Sequence, residues 1–270
     1  MSFLDHLEEL RWALVRSAIA LVLVMIVVFI YVERIFEAFV MAPTRADFIT
    51  YRVLCRLGHK LNMADSFCVQ DMRFELFSDK PQQEFLMAFS LTFTIGLVLA
   101  SPFILWQLWR FIAPGLKVGE RKAASGIVFF VVVLFVIGAA FAYWVLTPMS
   151  MQFFSTYSLS PNIRKIYTVN SYVDIFNSFL LWTGVAFELP IVMIFLARIG
   201  LVGAPFLRKY RKHALVVILV IAAIITPPDV VSQVLVTIPL VILYEASILL
   251  AARTTKRMEA RTRTAKVAAR

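Results

Sequence analysis

Residues 84–110 read EFLMAFSLTFTIGLVLASPFILWQLWR, an acid and an arginine enclosing a charge-free run from Phe85 to Trp109. A spanning helix needs about 20 consecutive apolar residues, so this stretch is long enough to cross a bilayer. Its apolar positions do not alternate, which excludes the period-two pattern of a membrane β-strand.

The same reading extends along the chain. Ser17 to Val32 carries no charge, and neither does Ala123 to Ile163, which holds one span and then a polar loop broken by Pro148 and Pro161. A fourth apolar run is interrupted by Asp174 near its start and by Glu188. Two shorter runs are parted only by Pro227-Pro228-Asp229. The expected fold is an all-α integral membrane protein with six transmembrane helices, near 13–32, 85–112, 124–147, 172–198, 212–227 and 230–251. They form one membrane domain over 1–252, with a loop near 33–84 and a basic, disordered tail over 253–270. The last two spans are short for a bilayer.

Composition agrees. The chain of 270 residues is 61% hydrophobic and 16% charged, with a mean hydropathy of +0.82. Soluble domains run at about 45–50% apolar and about 25% charged. A net charge of +10 would suggest nucleic acid in a soluble protein. Here the basic residues lie between spans and in the tail, with no aromatic interleaving to stack bases, so no nucleic-acid partner is expected. With six spans both termini share one side, which holds 18 of the 27 Lys and Arg. Seven of the remaining nine lie in the long loop, where eight acids offset them. The positive-inside rule therefore places both termini in the cytoplasm. The acidic first residues do not make a signal peptide, so the first span is expected to stay.

The two cysteines, Cys55 and Cys68, fall in the long exoplasmic loop. A disulfide and two separate thiols both fit that placement.

Several charged residues stand out. Phe3, Leu4, Leu7 and Leu10 share one helical face with Asp5, Glu8 and Glu9 opposite, suggesting a short surface helix ahead of span one. Acids there run against the positive-inside trend, although a solvated polar face explains them equally. Glu120 is the single acid among Arg110, Lys117, Arg121 and Lys122 in the first cytoplasmic loop, where a local salt bridge would suffice. Glu188 lies inside a span just before Pro190. An ionised acid at mid-membrane costs at least about 2.5–3.5 kcal/mol, so Glu188 either faces a wet groove or is protonated. Asp229 with Ser232 suits the N-cap of the last helix. His6, His59 and His213 show no metal-ligand spacing, and no phosphate-binding glycine loop is present. No catalytic residue, metal or cofactor is expected, and the chain does not read as an enzyme.

Taken in order, Ser2-Phe3-Leu4-Asp5-His6-Leu7-Glu8-Glu9-Leu10-Arg11, Phe111-Ile112-Ala113-Pro114-Gly115-Leu116 before Glu120-Arg121, Phe187-Glu188-Leu189-Pro190, and Thr226-Pro227-Pro228-Asp229 before Ser232-Gln233 resemble TatC. TatC is the large subunit of the twin-arginine protein translocase, and the resemblance runs from residue 2 to about residue 250. It implies a glove-shaped bundle in the cell inner membrane that binds paired-arginine signal peptides of folded cargo. It also implies TatA-type and TatB-type single-span partners, several copies per complex and export driven by the proton-motive force. By the same resemblance Glu9 and Glu120 are the recognition pair, with Arg11, Phe111, Pro114, Leu116 and Arg121 shaping the patch. Two guanidinium groups are well held by carboxylates in charge-assisted bonds.

The resemblance further places Glu188 in an intramembrane groove, Thr226, Asp229 and Gln233 at a partner-helix contact, and Pro43 and Gln107 in structural roles. Ala223 departs from the larger residue the pattern often carries there, and the loop over 44–80 is longer than the family implies. Two other classes compete on residues alone. A secondary solute transporter would show matched broken helices in two halves, which this chain lacks. A membrane assembly scaffold differs only in having no use for Glu9 and Glu120 in signal-peptide recognition.

Overall fold

The computed structural model describes residues 3–60, 76–112, 121–160, 162, 165–198, 202–227 and 229–268. In chain order these form α1 Phe3–Ile30, α2 Val32–Ile35, a π-helical turn Phe36–Val40, a 3-10 turn Ala42–Thr44 and α3 Ile49–Lys60. Then come β1 Leu76–Phe77, α4 Gln83–Ile112, α5 Arg121–Phe141, a second π-helical turn Ala142–Leu146 and α6 Thr147–Thr156. The remainder is β2 Tyr167–Thr168, α7 Val169–Ala186, α8 Leu189–Arg198, α9 Ala204–Lys209, α10 Arg211–Ile225 and α11 Val230–Ala268. The two short strands pair in parallel, Leu76 with Tyr167 and Phe77 with Thr168.

Among the described residues, five helical stretches are long and apolar enough to cross a membrane: Leu7–Ile30, Gln83–Phe111, Val128–Thr156, Val169–Ala197 and Val230–Arg253. The other expected span is α10. Its 15 residues rise only about 22 Å, against a hydrocarbon core of about 30 Å. The helices turn oil outward: Leu14, Ile19, Leu23 and Ile30 of α1 are 53 to 70% exposed. Water would penalise that surface heavily, and lipid does not.

The chain forms two compact units, Met1–Gly184 and Val185–Arg270. In the first, α4 packs along α1 and against α5. Leu91, Leu146, Met151, Phe176 and Phe179 are essentially fully buried there. Its loop end is tied by tyrosines. The Tyr51 hydroxyl lies 2.8 Å from the Pro148 carbonyl oxygen and 3.0 Å from that of Pro43. The Tyr143 hydroxyl donates to Phe39 O at 3.0 Å, and that of Tyr172 donates to Val40 O. The two π-helical turns meet here, with the Phe39 and Tyr143 rings stacked at 4.1 Å. In the second unit, α11 packs on α8, α9 and α10.

Three expectations change. The amphipathic start is no separate surface helix, because α1 runs unbroken from Phe3 to Ile30. No proline or glycine interrupts that stretch, so nothing stops the helix from propagating. Pro148 does not end the third span either, since helix continues to Thr156. A proline leaves the carbonyl four residues back without its N–H partner, and the Thr50 hydroxyl donates to that carbonyl, Trp144 O. Pro102 inside α4 is handled locally, with Ser101 Oγ donating to Val98 O at 2.7 Å. The tail read as disordered is helical through Ala268. Arg, Thr and Ala lead it, followed by Lys, and it holds no proline or glycine to break a helix. Part of the long loop is ordered as α2 and α3, and of the two cysteine states left open by the sequence Cys55 takes the disulfide. Cys68 lies outside the described residues.

Candidate functional site

The first candidate surface is built from the approach of α1 to α4. A Cβ at Gly96 would lie 2.8 Å from Met25 Cγ, so this crossing needs glycine. No further crossing helix separates α1 from α4 among the described residues, so α4 returns antiparallel to α1. Counting equal rise outward from Met25 and Gly96, Glu9 and Ile112 are each sixteen residues away and stand at about the same level. Ile112 is the last residue of α4, and the loop carrying Glu120 follows. Glu9 and Arg11 are exposed on α1, and Phe111 is half-buried at the end of α4. Immediately before Phe111, the Arg110 guanidinium sits 5.9 Å from the centre of the ring of Trp106, one turn back. Pro114, Leu116 and Glu120 lie outside the described residues; Arg121 opens α5, with its side chain outside them too.

The second candidate is the break between α7 and α8. Helix stops at Ala186 and resumes at Leu189. The Glu188 backbone N–H donates to Val185 O at 3.0 Å, and its carbonyl accepts from Ile191 N at 3.0 Å and Val192 N at 3.1 Å. The side chain is half-buried, with Oε1 shielded from solvent. Pro190 sits in the first turn of α8, where its missing N–H costs nothing. The break therefore presents a carboxylate inside the stretch Val169–Ala197, which otherwise qualifies as one span.

The third candidate is the hairpin joining α10 to α11. Asp229 caps α11 as its spacing predicts: Oδ1 accepts from Ser232 N at 2.7 Å. Asp229 is only 5% exposed, and its Oδ2 is buried without a hydrogen-bond partner. Thr226 closes α10 by donating its hydroxyl to Ala222 O at 2.9 Å. Gln233 Nε2 donates to Leu219 O at 3.3 Å, joining α11 to α10. At the other end of α10, Arg211 pairs with Glu245, midway along α11, at 2.7 Å.

The structure also adds polar residues that the charge-based reading passed over. Asn177 Nδ2 donates to Ser90 Oγ at 3.0 Å, while Asn177 Oδ1, Thr92 Oγ1 and Thr183 Oγ1 are buried without partners. Neutral amides and hydroxyls inside spans leave no mark in a scan for charge. A lone Asn in an apolar run was the signal available. Among the described residues, no three His, Cys, Asp or Glu side chains come together to hold a metal ion.

These features define a polytopic helical membrane protein whose carboxylates Glu188 and Asp229 sit at a helix break and a helix start, with neutral polar groups buried inside its spans. The profile of one family, Sec-independent protein translocase protein (TatC), matches residues 5–239. The chain belongs to the TatC family. It is 36% identical over 249 residues to the Sec-independent protein translocase protein TatC of Blattabacterium sp. subsp. Periplaneta americana, covering 92% of this chain and 94% of that one. It is 40% identical over 183 residues to TatCy of Bacillus subtilis, covering 64% and 72%. A crystal structure of the twin-arginine translocase receptor TatC in DDM superposes with a TM-score of 0.71 at 30% identity, covering 91% of this chain and 99% of that one. Family and fold together place the chain in a membrane, with a transport role rather than catalysis.

Proposed function

We propose that this chain is the signal-receiving core subunit of a twin-arginine translocase in the cell inner membrane, with both termini cytoplasmic. Paired arginines of a folded cargo's signal peptide bind Glu9 and Glu120, while Arg11, Phe111, Pro114, Leu116 and Arg121 shape the surface around them. The observation that carries this reading is the level of Glu9 with the end of α4, where the loop bearing Glu120 begins. Carboxylates at one membrane end can take guanidinium groups in bidentate, charge-assisted bonds, which a lysine ammonium does not reproduce. Glu188 gives the apolar part of the signal peptide, or a partner helix, a polar contact within the membrane. Thr226, Asp229 and Gln233 meet a single-span partner of TatA or TatB type, several copies assemble, and the proton-motive force drives export.

The test is binding of a signal peptide to membranes containing the full chain, comparing Arg-Arg with Lys-Lys. Hydrogen bonds to charged groups contribute about 1.5–3 kcal/mol, so Arg-Arg is expected to bind about 10- to 100-fold more tightly. Glu9→Ala and Glu120→Ala each remove the preference. Equal binding of both peptides, unaffected by either substitution, returns the scaffold reading.

A further inference from the structure

The long loop contains an amphipathic helix whose outward surface belongs to none of the three candidate sites. In α3, Ile49, Val53 and Leu57 are 51, 46 and 48% exposed. At about 100° per residue they fall on one arc of about 80°. Arg52 and Arg56 occupy the adjoining exposed arc, and Lys60 ends the helix on the apolar side. The opposite face is buried through Tyr51 and Gly58. No acid lies between Phe48 and Lys60, and among the described residues no carboxylate pairs with Arg52, Arg56 or Lys60. A helix with one face on the protein, one oily and one basic is built to lie in a membrane interface.

Its height in the bundle agrees. A hydrocarbon core of about 30 Å takes about 20 helical residues. Counted from Ala123, after Lys122, or from Val128, where the apolar span opens, the far boundary falls between Ala142 and Thr147. Trp144 lies there, 49% exposed, as interfacial tryptophans do. α3 is fastened at this level, through Thr50 to Trp144 O and through Tyr51 to Pro148 O.

We propose that α3 is a lipid-binding interfacial helix. Ile49, Val53 and Leu57 enter the hydrocarbon boundary of the leaflet at this end of the bundle, and Arg52, Arg56 and Lys60 hold the phosphates of anionic phospholipids. Charge complementarity selects this occupant, since a run of cations beside an apolar stripe matches a negatively charged bilayer surface.

The experiment places benzoyl-phenylalanine at position 53 or 57 of the full chain. The protein is reconstituted in vesicles of phosphatidylglycerol and phosphatidylcholine in equal parts, irradiated, and its adducts are weighed by mass spectrometry. The same probe at Ile19, a lipid-facing position of α1, sets the full-contact yield. Phospholipid adducts at both α3 positions, comparable to that yield and enriched about fivefold in phosphatidylglycerol, are expected. The enrichment falls towards parity in R52Q/R56Q. Adducts to protein, or no adducts at 53 and 57 while Ile19 labels normally, overturn the proposal. Equal labelling of both lipids, unchanged in R52Q/R56Q, overturns the headgroup assignment.

Discussion

The loop end of the first unit and the α10–α11 hairpin of the second treat buried polar atoms in opposite ways. Around Tyr51 and Tyr172 the hydroxyls meet backbone carbonyls, those of Pro43 and Val40 in the irregular turns and that of Pro148 in the first turn of α6. At the hairpin, Asp229 spends one oxygen on the helix cap and keeps the other buried and bare. Satisfied networks hold one arrangement rigidly, whereas an unsatisfied buried atom calls for a further explanation. The first region reads as a fastening for α3 and the π-helical turns, the second as a place for an incoming donor.

The largest expected effect comes from breaking the fastening. Tyr51→Phe combined with Tyr172→Phe strips hydroxyls from the buried carbonyls of Pro148, Pro43 and Val40 while keeping the rings. Each buried group left unsatisfied costs about 1–3 kcal/mol, so the pair should cost about 2–5 kcal/mol. For a chain of this size that is a fall of about 5–15 °C in Tm, read by thermal unfolding of the lipid-reconstituted protein. An unchanged Tm would mean that packing, not hydrogen bonding, holds this end.

Much of this layout was legible in the sequence, for reasons particular residues make plain. Charge-free runs betray spans because charge is costly in lipid, and Asp229 three residues before Ser232 states its own cap. Pro148 misled because its rescue is not local: Thr50 stands 94 positions from Trp144 in sequence, and the Trp144 carbonyl it serves carries no side-chain signature. Pro102, rescued by the adjacent Ser101, was a local solution of the same problem. The level of Glu9 with the end of α4 needed the crossing of Gly96 on Met25, which composition cannot announce.

A second, smaller effect sharpens the role of Tyr51. Burial raises its phenol above the ordinary value of 10.0. Because the folded chain keeps the proton that the unfolded chain loses near pH 10, this residue's contribution is intact below pH 10 and declines as pH rises beyond it. Stability measured between about pH 9 and 11 should fall more steeply for the wild type than for Tyr51→Phe. Parallel profiles would show that the hydroxyl is not buried as described.

The smallest effect tests the hairpin and divides Asp229's two oxygens. Asp229→Ala removes the cap on Ser232 N and should cost about 1 kcal/mol, a fall of about 2–4 °C in Tm. Asp229→Asn keeps a capping carbonyl oxygen and replaces the bare oxygen's charge with an amide, so its Tm should stay within about 1 °C of the wild type, since Asn and Asp cap about equally. A partner helix that donates to Oδ2 would bind the wild type and lose affinity for Asn, whose amide in that position offers hydrogens rather than a lone pair. Cross-linking of a single-span partner at this hairpin, compared in the two variants, then separates the roles. Loss in Asp229→Asn with stability intact assigns Oδ2 to the partner, and loss only in Asp229→Ala leaves Asp229 a cap and nothing more.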